Sequence, residues 1–493
     1  MTKNFTLDID ADGIATITWD APGRPINVID LTTIQELADL VERTTADANV
    51  KGVVITSGKD SFCAGADLTL LNTLRASFAE MVKTQGEEAA AKRLFDESRK
   101  LSQLYRRIET CGKPWVAAIN GTALGGGFEL CLACHHRVAA DNDQTRVGLP
   151  EIKIGLFPGA GGTVRISRMM MPADALQFLA KGDQLKVARA KGMKLIDNVV
   201  PPADLLKAAK DWIKAGGKAV APWDEKGFKT PGGAVWSKAG MMVFSPASAL
   251  YRKQTYDNYP AARAIMQVVF DGLQLPVDQA LTVESRYFAH ILRSKEAAAM
   301  IRSLFVSLGE LTKGARRPAN VPPTRLKKIG VLGAGFMGAG IAYVSAQAGL
   351  EVVLIDRDQD SADKGKALSH KLMSEQISKG RANTAARDAL LARITATPDY
   401  EALAGCDLVI EAVFEDRKVK AEATAKAQAV VPDAVFGSNT STLPITSLAE
   451  NAKDPAKFIG IHFFSPVERM MLVEIIMGKQ TGDEALAVAL DFV

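Results

Sequence analysis

The six residues GAGFMG, Gly333 to Gly338, constrain the fold of this chain more than any other stretch. They follow a short apolar run, KIGVL, and open a small-residue segment, AGIAYVSAQAG, after which a second apolar run ends at Asp356. G-x-G-x-x-G between a strand and a helix leaves the backbone bare at the point where one turns into the other. Further short apolar runs, DLVIEAVFE, AVFGSNTS and KFIGIHFF, are separated by segments of helical character. That alternation predicts a parallel, doubly wound sheet for this half of the chain.

The first half follows different rules. TLDIDADGIATITWD alternates around Asp12-Gly13 and predicts a hairpin, and Asp30 is placed to cap a helix over LTTIQELADLVERTTAD. KGVVITSG and PWVAAING are expected as buried strands, with a long polar helical region from about Leu74 to Thr110 between them. Helical patterns dominate after about Pro201. ARRPANVPPTRLKK, residues 315–328, has the prolines and positive charges of an interdomain linker. The chain thus reads as an α/β protein of two unlike folds: 1–280, a linking helix and linker over 281–325, and 326–493.

Composition narrows the classes of function. Over 493 residues the net charge is only +4, with basic and acidic residues interleaved, which argues against a nucleic-acid partner. No apolar run reaches the roughly 18 residues of a membrane span. MTKNFTLDID has neither a signal core nor a transit-peptide composition, so a cytoplasmic location is expected. Five scattered cysteines make no disulfide framework. Cys131 and Cys134 form C-x-x-C beside His135 and His136, but no second ligand pair accompanies them, and no metal is expected.

Candidate chemistry gathers in two places. In the second half, Gly333, Gly335 and Gly338 suit a pyrophosphate at a helix N-terminus, and Asp356 suits a ribose hydroxyl, so NAD is the expected cofactor. His462, with Glu474 beyond it and Ser441 before it, is a candidate acid/base set for oxidising an alcohol. In the first half, Gly125 to Gly127 stand directly before a helix that carries Glu129. Bare backbone at a helix N-terminus presents N–H groups to a developing oxyanion, and SFCAGAD offers a second such turn. Glu151, in GLPEIKIGLFPGAGGT, is a second carboxylate for acid/base work.

These motifs resemble two families. INGTALGGGFEL, SFCAGADL, GLPEIKIGLFPGAGGT and RPINVID resemble the enoyl-CoA hydratase/isomerase (crotonase) family, which implies a crotonase-type ββα spiral domain. By that resemblance the N–H groups of Ala66 and Gly126 hold a thioester oxygen, while Glu129 and Glu151 add water to a trans-2-enoyl-CoA. Where many relatives have aspartate, this chain has His135. KKIGVLGAGFMGAGIA, LIDRD, SNTST, GIHFFSPV and LVEII resemble the Rossmann-type NAD-binding domain of L-3-hydroxyacyl-CoA dehydrogenases. There His462 takes the proton, Glu474 orients it, Ser441 bonds the substrate oxygen, and Glu415 and Lys420 lie near the nicotinamide. The family's C-terminal helical domain and its asparagine are not found before Val493, so the expected dehydrogenase half is incomplete and impaired. The order of the halves resembles alpha subunits of the bacterial fatty-acid β-oxidation complex, which implies acyl-CoA substrates and a thiolase partner subunit and leaves oligomeric state open. Two other readings stay open from sequence: double-bond isomerisation on the same fold, and a non-catalytic scaffold that binds acyl-CoA or NAD.

Overall fold

The computed structural model describes residues 4–493, in two compact units that divide between Gly309 and Glu310. In the first unit a six-stranded sheet runs in the order Phe5–Ile9, Ile14–Trp19, Gly52–Ser57, Trp115–Ile119, His136–Ala140, Asn198–Val200. The opening pair is the expected hairpin, antiparallel with Phe5 opposite Trp19, and every later pair is parallel. All six residues of GVVITS and all five of WVAAI are buried, as β-branched and small apolar side chains require when helices cover both faces of a parallel strand. A second, three-stranded sheet joins Ala123–Leu124, Arg146–Gly148 and Gln184–Lys186.

Asp30 caps the helix Leu31–Ala46 by accepting from the Thr33 N–H at 2.8 Å. The long polar region forms two helices, Leu68–Gln85 and Glu87–Thr110, separated at Gly86. In the second of these, Leu94, Leu104, Tyr105 and Ile108 face the core.

The second unit has a seven-stranded sheet in the order Ile394–Thr397, Glu351–Ile355, Lys328–Leu332, Leu408–Glu411, Val435–Ser438, Phe458–Phe463, Val473–Ile476. All pairs are parallel except the last. Lys328–Leu332 lies between strands that leave in opposite directions, so the order reverses at the strand that leads into GAGFMG. Ligands of open α/β sheets bind at the carboxyl ends of strands flanking such a reversal.

The division between the units differs from the expected one on both sides. The helix Val277–Leu292, expected as part of a connection, packs against Glu87–Thr110 and buries Val277, Ala280, Leu281 and Glu284 in the first unit. The proline-rich stretch after it is no free tether. Arg317 holds Asp491 of the helix Asp483–Phe492 through two contacts, at 2.6 and 2.9 Å, and the Thr324 N–H donates to the same carboxylate at 2.8 Å. Among the described residues no helix is long and apolar enough to cross a membrane.

Candidate active sites

In the first unit two loops leave the ends of adjacent parallel strands and are joined to each other. The loop after Gly52–Ser57 carries Cys63 to Ala66, and the loop after Trp115–Ile119 carries Ala123 to Gly126. The Leu124 N–H donates to Cys63 O at 2.9 Å, and Ile29 N donates to Gly65 O at 2.9 Å. Asn27, in the loop after the strand Ile14–Trp19, ties that loop to the one after Gly52–Ser57. Fully buried, its amide nitrogen lies within hydrogen-bond distance of Trp19 O, Ser57 Oγ and Phe62 O, and its oxygen accepts from the Ala21 N–H.

The three glycines serve three purposes. Gly125 adopts φ +53°, and a Cβ there would lie 3.1 Å from Glu151 Oε1. A Cβ on Gly126 would meet Ile29 Cδ1 at 2.8 Å and would lie 3.9 Å from both Ala66 N and Glu129 Oε2. Gly127 is a packing residue, its missing Cβ making room for Cys63 at 2.6 Å. The structure therefore brings Ala66, Gly126, Glu129 and Glu151 around one small volume. Gly126 opens the helix Gly126–Ala133, where first-turn amides have no intrahelical partner. Among the described residues neither the Ala66 nor the Gly126 amide has a protein acceptor. The buried Tyr105 hydroxyl donates to Gly126 O at 2.9 Å and fixes the orientation of that residue.

Glu129 is buried, and its Oε1 accepts from the Ala160 and Gly162 N–H groups at 2.8 and 2.7 Å. Glu151 Oε2 is sealed from solvent with no partner. A third carboxylate, Glu284, lies fully buried nearby and accepts from the Gly161, Thr163 and Val164 N–H groups. Burial, reinforced by the repulsion of Glu151 and Glu284, holds Glu129 well above the usual carboxylate range. Burial likewise pushes Glu151 up to about 8 and Glu284 to about 7. Three such groups share protons as a set and carry fewer charges than carboxyls near neutral pH.

That set makes stability depend on pH. A carboxyl with a raised folded-state pKa stabilises the fold while protonated, below its unfolded value, and loses that contribution as pH rises through the folded value. Glu151→Gln is expected to match the wild type in stability at pH 5 and to exceed it at pH 9 by on the order of 2 kcal/mol. Denaturant melts at the two pH values measure the difference, and equal gains at both would show that Glu151 titrates normally.

Other residues of this unit have structural places. His135 Nδ1 accepts from the Trp115 N–H at 3.0 Å, so Nε2 carries the proton and donates to Glu109 O at 3.1 Å. The imidazole thus joins the start of a sheet strand to the end of the helix Glu87–Thr110, and burial keeps it neutral. Cys131 Sγ donates to Gly127 O, and burial pushes the Cys134 thiol up to about 12.

In the second unit, a Cβ on Gly338 would fall 1.8 Å from Gly333 O, so only glycine lets the helix Phe336–Gln347 sit this close to its strand. At Gly335 a Cβ would meet nothing within 4 Å, which leaves the approach to the helix N-terminus open. Asp356 ends the neighbouring strand, and its Oδ2 accepts from the Ala334 N–H at 2.7 Å. An open glycine turn beside an acidic residue fits the pyrophosphate and ribose of NAD.

His462 and Glu474 are direct cross-strand partners, and Nδ1 lies 2.8 Å from Glu474 Oε2. Two adjacent antiparallel strands thus account for their spacing in sequence. Ser441 follows the strand Val435–Ser438, and its N–H donates to Glu415 Oε1 at 3.3 Å. Asn439, two residues earlier, accepts from the Phe463 N–H at 2.8 Å and ties the Ser441 loop to the histidine strand.

Lys420 is enclosed rather than open. Its Nζ lies 3.1 and 3.0 Å from the oxygens of Glu411 and 3.0 Å from Glu415 Oε2, with both Lys420 and Glu411 buried. Glu411 went unnoticed in the sequence because it closes the apolar strand LVIE, where a charge has no visible partner.

Residues 10–220 match the enoyl-CoA hydratase/isomerase family, and residues 328–493 match the NAD-binding domain of 3-hydroxyacyl-CoA dehydrogenase. Over 496 residues the chain is 36% identical to a fatty acid oxidation complex subunit alpha of Shewanella halifaxensis, and over 497 residues 36% identical to one of Shewanella loihica. Each alignment takes in 100% of this chain and 68% of the relative. Among solved structures, the (S)-3-hydroxybutyryl-CoA dehydrogenase PaaH1 from Ralstonia eutropha shares 36% identity over 34% of this chain and 62% of that one, with a TM-score of 0.32. With a hydratase unit followed by an NAD-binding dehydrogenase unit, and with the two Shewanella subunits aligned along its whole length, the chain belongs to the family of fatty acid oxidation complex alpha subunits.

Proposed function

We propose that the first unit adds water across the double bond of a trans-2-enoyl-CoA, and that the second unit oxidises the resulting L-3-hydroxyacyl-CoA to the 3-ketone. The observation that carries this reading is the convergence of two unpaired amides and two raised carboxyls on one volume.

The Ala66 and Gly126 N–H groups donate to the thioester oxygen, where negative charge grows as water attacks. Two amide hydrogen bonds on Glu129 Oε1 support its ionised form, and the coupled Glu129–Glu151 pair shares a proton, so that one member can accept while the other donates. Glu129 therefore takes a proton from water as the water oxygen bonds to C3. Glu151 gives its own proton to C2. The product gains both parts of one water molecule, and a proton passing from Glu129 to Glu151 resets the pair.

In the second unit Gly333, Gly335 and Gly338 admit the pyrophosphate of NAD, and Asp356 holds a ribose hydroxyl. Bound NAD supplies the hydride acceptor for C3. His462 donates its Nδ1 proton to Glu474, which leaves Nε2 free to take the proton of the substrate hydroxyl. Ser441 positions the substrate oxygen, and Lys420 holds Glu415 beside the nicotinamide position. Because the first product is the second substrate, joining the units raises the local concentration of the intermediate. A 3-ketoacyl-CoA is in turn a substrate for thiolysis, and a thiolase-type subunit is the partner we assign to the complex.

A sequential assay tests this reading. The chain is mixed with short and long trans-2-enoyl-CoA and the loss of the conjugated double bond is followed; NAD is then added and NADH formation is followed. Loss of the enoyl absorbance is the expected result for the first unit, and NADH formation reports the second separately. No hydration with either substrate would overturn the hydratase assignment.

A further inference from the structure

Glu284 lies on the helix Val277–Leu292, 0% exposed, far in sequence from either candidate glutamate. It accepts from the Gly161 N–H at 2.5 Å, the Thr163 N–H at 3.0 Å and the Val164 N–H at 3.3 Å, and also from the Thr163 hydroxyl. The amide before these and the one among them go elsewhere. Ala160 and Gly162 donate to Glu129 Oε1 at 2.8 and 2.7 Å. Successive N–H groups of one turn, from Ala160 to Val164, are thus divided between two buried carboxylates. The turn is held on its carbonyl side too, because Arg165 donates to Ala160 O at 2.9 Å while a bidentate pair with Glu109 fixes its guanidinium.

We propose that Glu284 is a positioning residue for hydration: by anchoring the turn Gly161–Val164 it aligns the two amides that hold Glu129 Oε1, so that Glu129 Oε2 faces the Ala66 and Gly126 amides. This inference rests on the hydratase reading of the first unit. The geometry gives the charged Glu284 a reason to be buried in a helix whose other buried residues are apolar or, at Ser285, a neutral hydroxyl. A carboxylate is the side chain that can receive several amides at one turn, as at a helix N-terminus, and here the helix Gly162–Met169 begins at that turn. Displacing a catalytic group by about 1 Å through a distant change can cost about 10²-fold in rate.

Glu284 also belongs to the electrostatics of the site. The charged groups around it are Glu129 and Glu151, which its charge pushes upward, Arg165 and Arg168 with the opposite sign, and Glu109 paired to Arg165. Removing the charge of Glu284 lowers the apparent pKa values of the Glu129–Glu151 pair.

The test compares the wild-type chain, Glu284→Gln, Glu284→Asp and Thr163→Val by steady-state hydration of a short trans-2-enoyl-CoA across pH, with thermal melts to establish folding. For folded Glu284→Gln the expected result is a kcat about 10- to 100-fold lower, with KM changed by less than about 3-fold and both limbs of the pH profile displaced to lower pH. Glu284→Asp restores part of the rate. A wild-type kcat and an unmoved pH profile in Glu284→Gln would overturn the proposal. If Glu284→Gln does not fold, Thr163→Val decides: it leaves the carboxylate in place and removes one of its donors, so a lower kcat with KM changed by less than about 3-fold supports the proposal and a wild-type kcat overturns it. Absence of hydration by the wild type would instead refute the hydratase reading itself.

Discussion

Glu129→Gln is expected to lower the rate of enoyl-CoA hydration by about 10²- to 10⁴-fold, with KM little changed. The substitution is nearly isosteric. The glutamine oxygen can still accept from the Ala160 and Gly162 N–H groups, so the turn that supports the site keeps its partners. What is lost is the proton acceptor at Oε2, the atom 3.9 Å from where a Cβ on Gly126 would lie. Substrate binding through the thioester oxygen relies on the two backbone amides, which the substitution leaves in place, so the loss should appear in kcat. The companion variant Glu151→Gln separates hydration from isomerisation. A hydratase that uses one glutamate as base and the other as acid loses activity in both variants, whereas double-bond isomerisation carried by Glu129 alone would survive the loss of Glu151. A rate for Glu129→Gln within about 3-fold of the wild type would remove Glu129 from the mechanism.

Much of this site could be read from the sequence because its parts are local. The triplet Gly125–Gly127 and the nearby Glu129 share one turn and one helix, and His462 with Glu474 lie on consecutive antiparallel strands. The parts that could not be read are those whose partners are distant. Asn27 looks like one polar residue in RPINVID, and its four hydrogen-bond partners lie on three other segments. Tyr105 sits in a polar helix whose buried face is visible, but nothing local shows that its hydroxyl reaches Gly126. Glu284 did leave a trace. Val277, Ala280, Leu281 and Glu284 occupy one helical stripe, and a carboxylate at an inward position needs buried donors. A reading of the surrounding segment as a connection hid that anomaly, since a connecting helix is not required to face a core. Lys420 poses the same difficulty in reverse: the resemblance placed it near the nicotinamide, and nothing local showed that Glu411 encloses it.

Gly126→Pro is expected to reduce hydration by about 10²- to 10³-fold, the usual effect of removing one oxyanion donor. Proline is rarely a clean probe of a backbone N–H, but this position suits it. Gly126 is the first residue of its helix, where proline's fixed φ is compatible and the absent N–H breaks no helical hydrogen bond. The ring does introduce carbon into the space beside Ile29 Cδ1, which a Cβ would meet at 2.8 Å. Gly126→Ala supplies the control, because alanine makes the same contact with Ile29 and keeps the N–H. The ratio of the two variants' kcat/KM values, rather than either alone, therefore measures the donor. A proline variant that folds and hydrates as fast as the alanine variant would mean that the oxygen takes no hydrogen bond from Gly126. Ala66 would then be the sole backbone donor of the pair, and the bare backbone at Gly126 would serve only to clear Ile29 and admit the substrate.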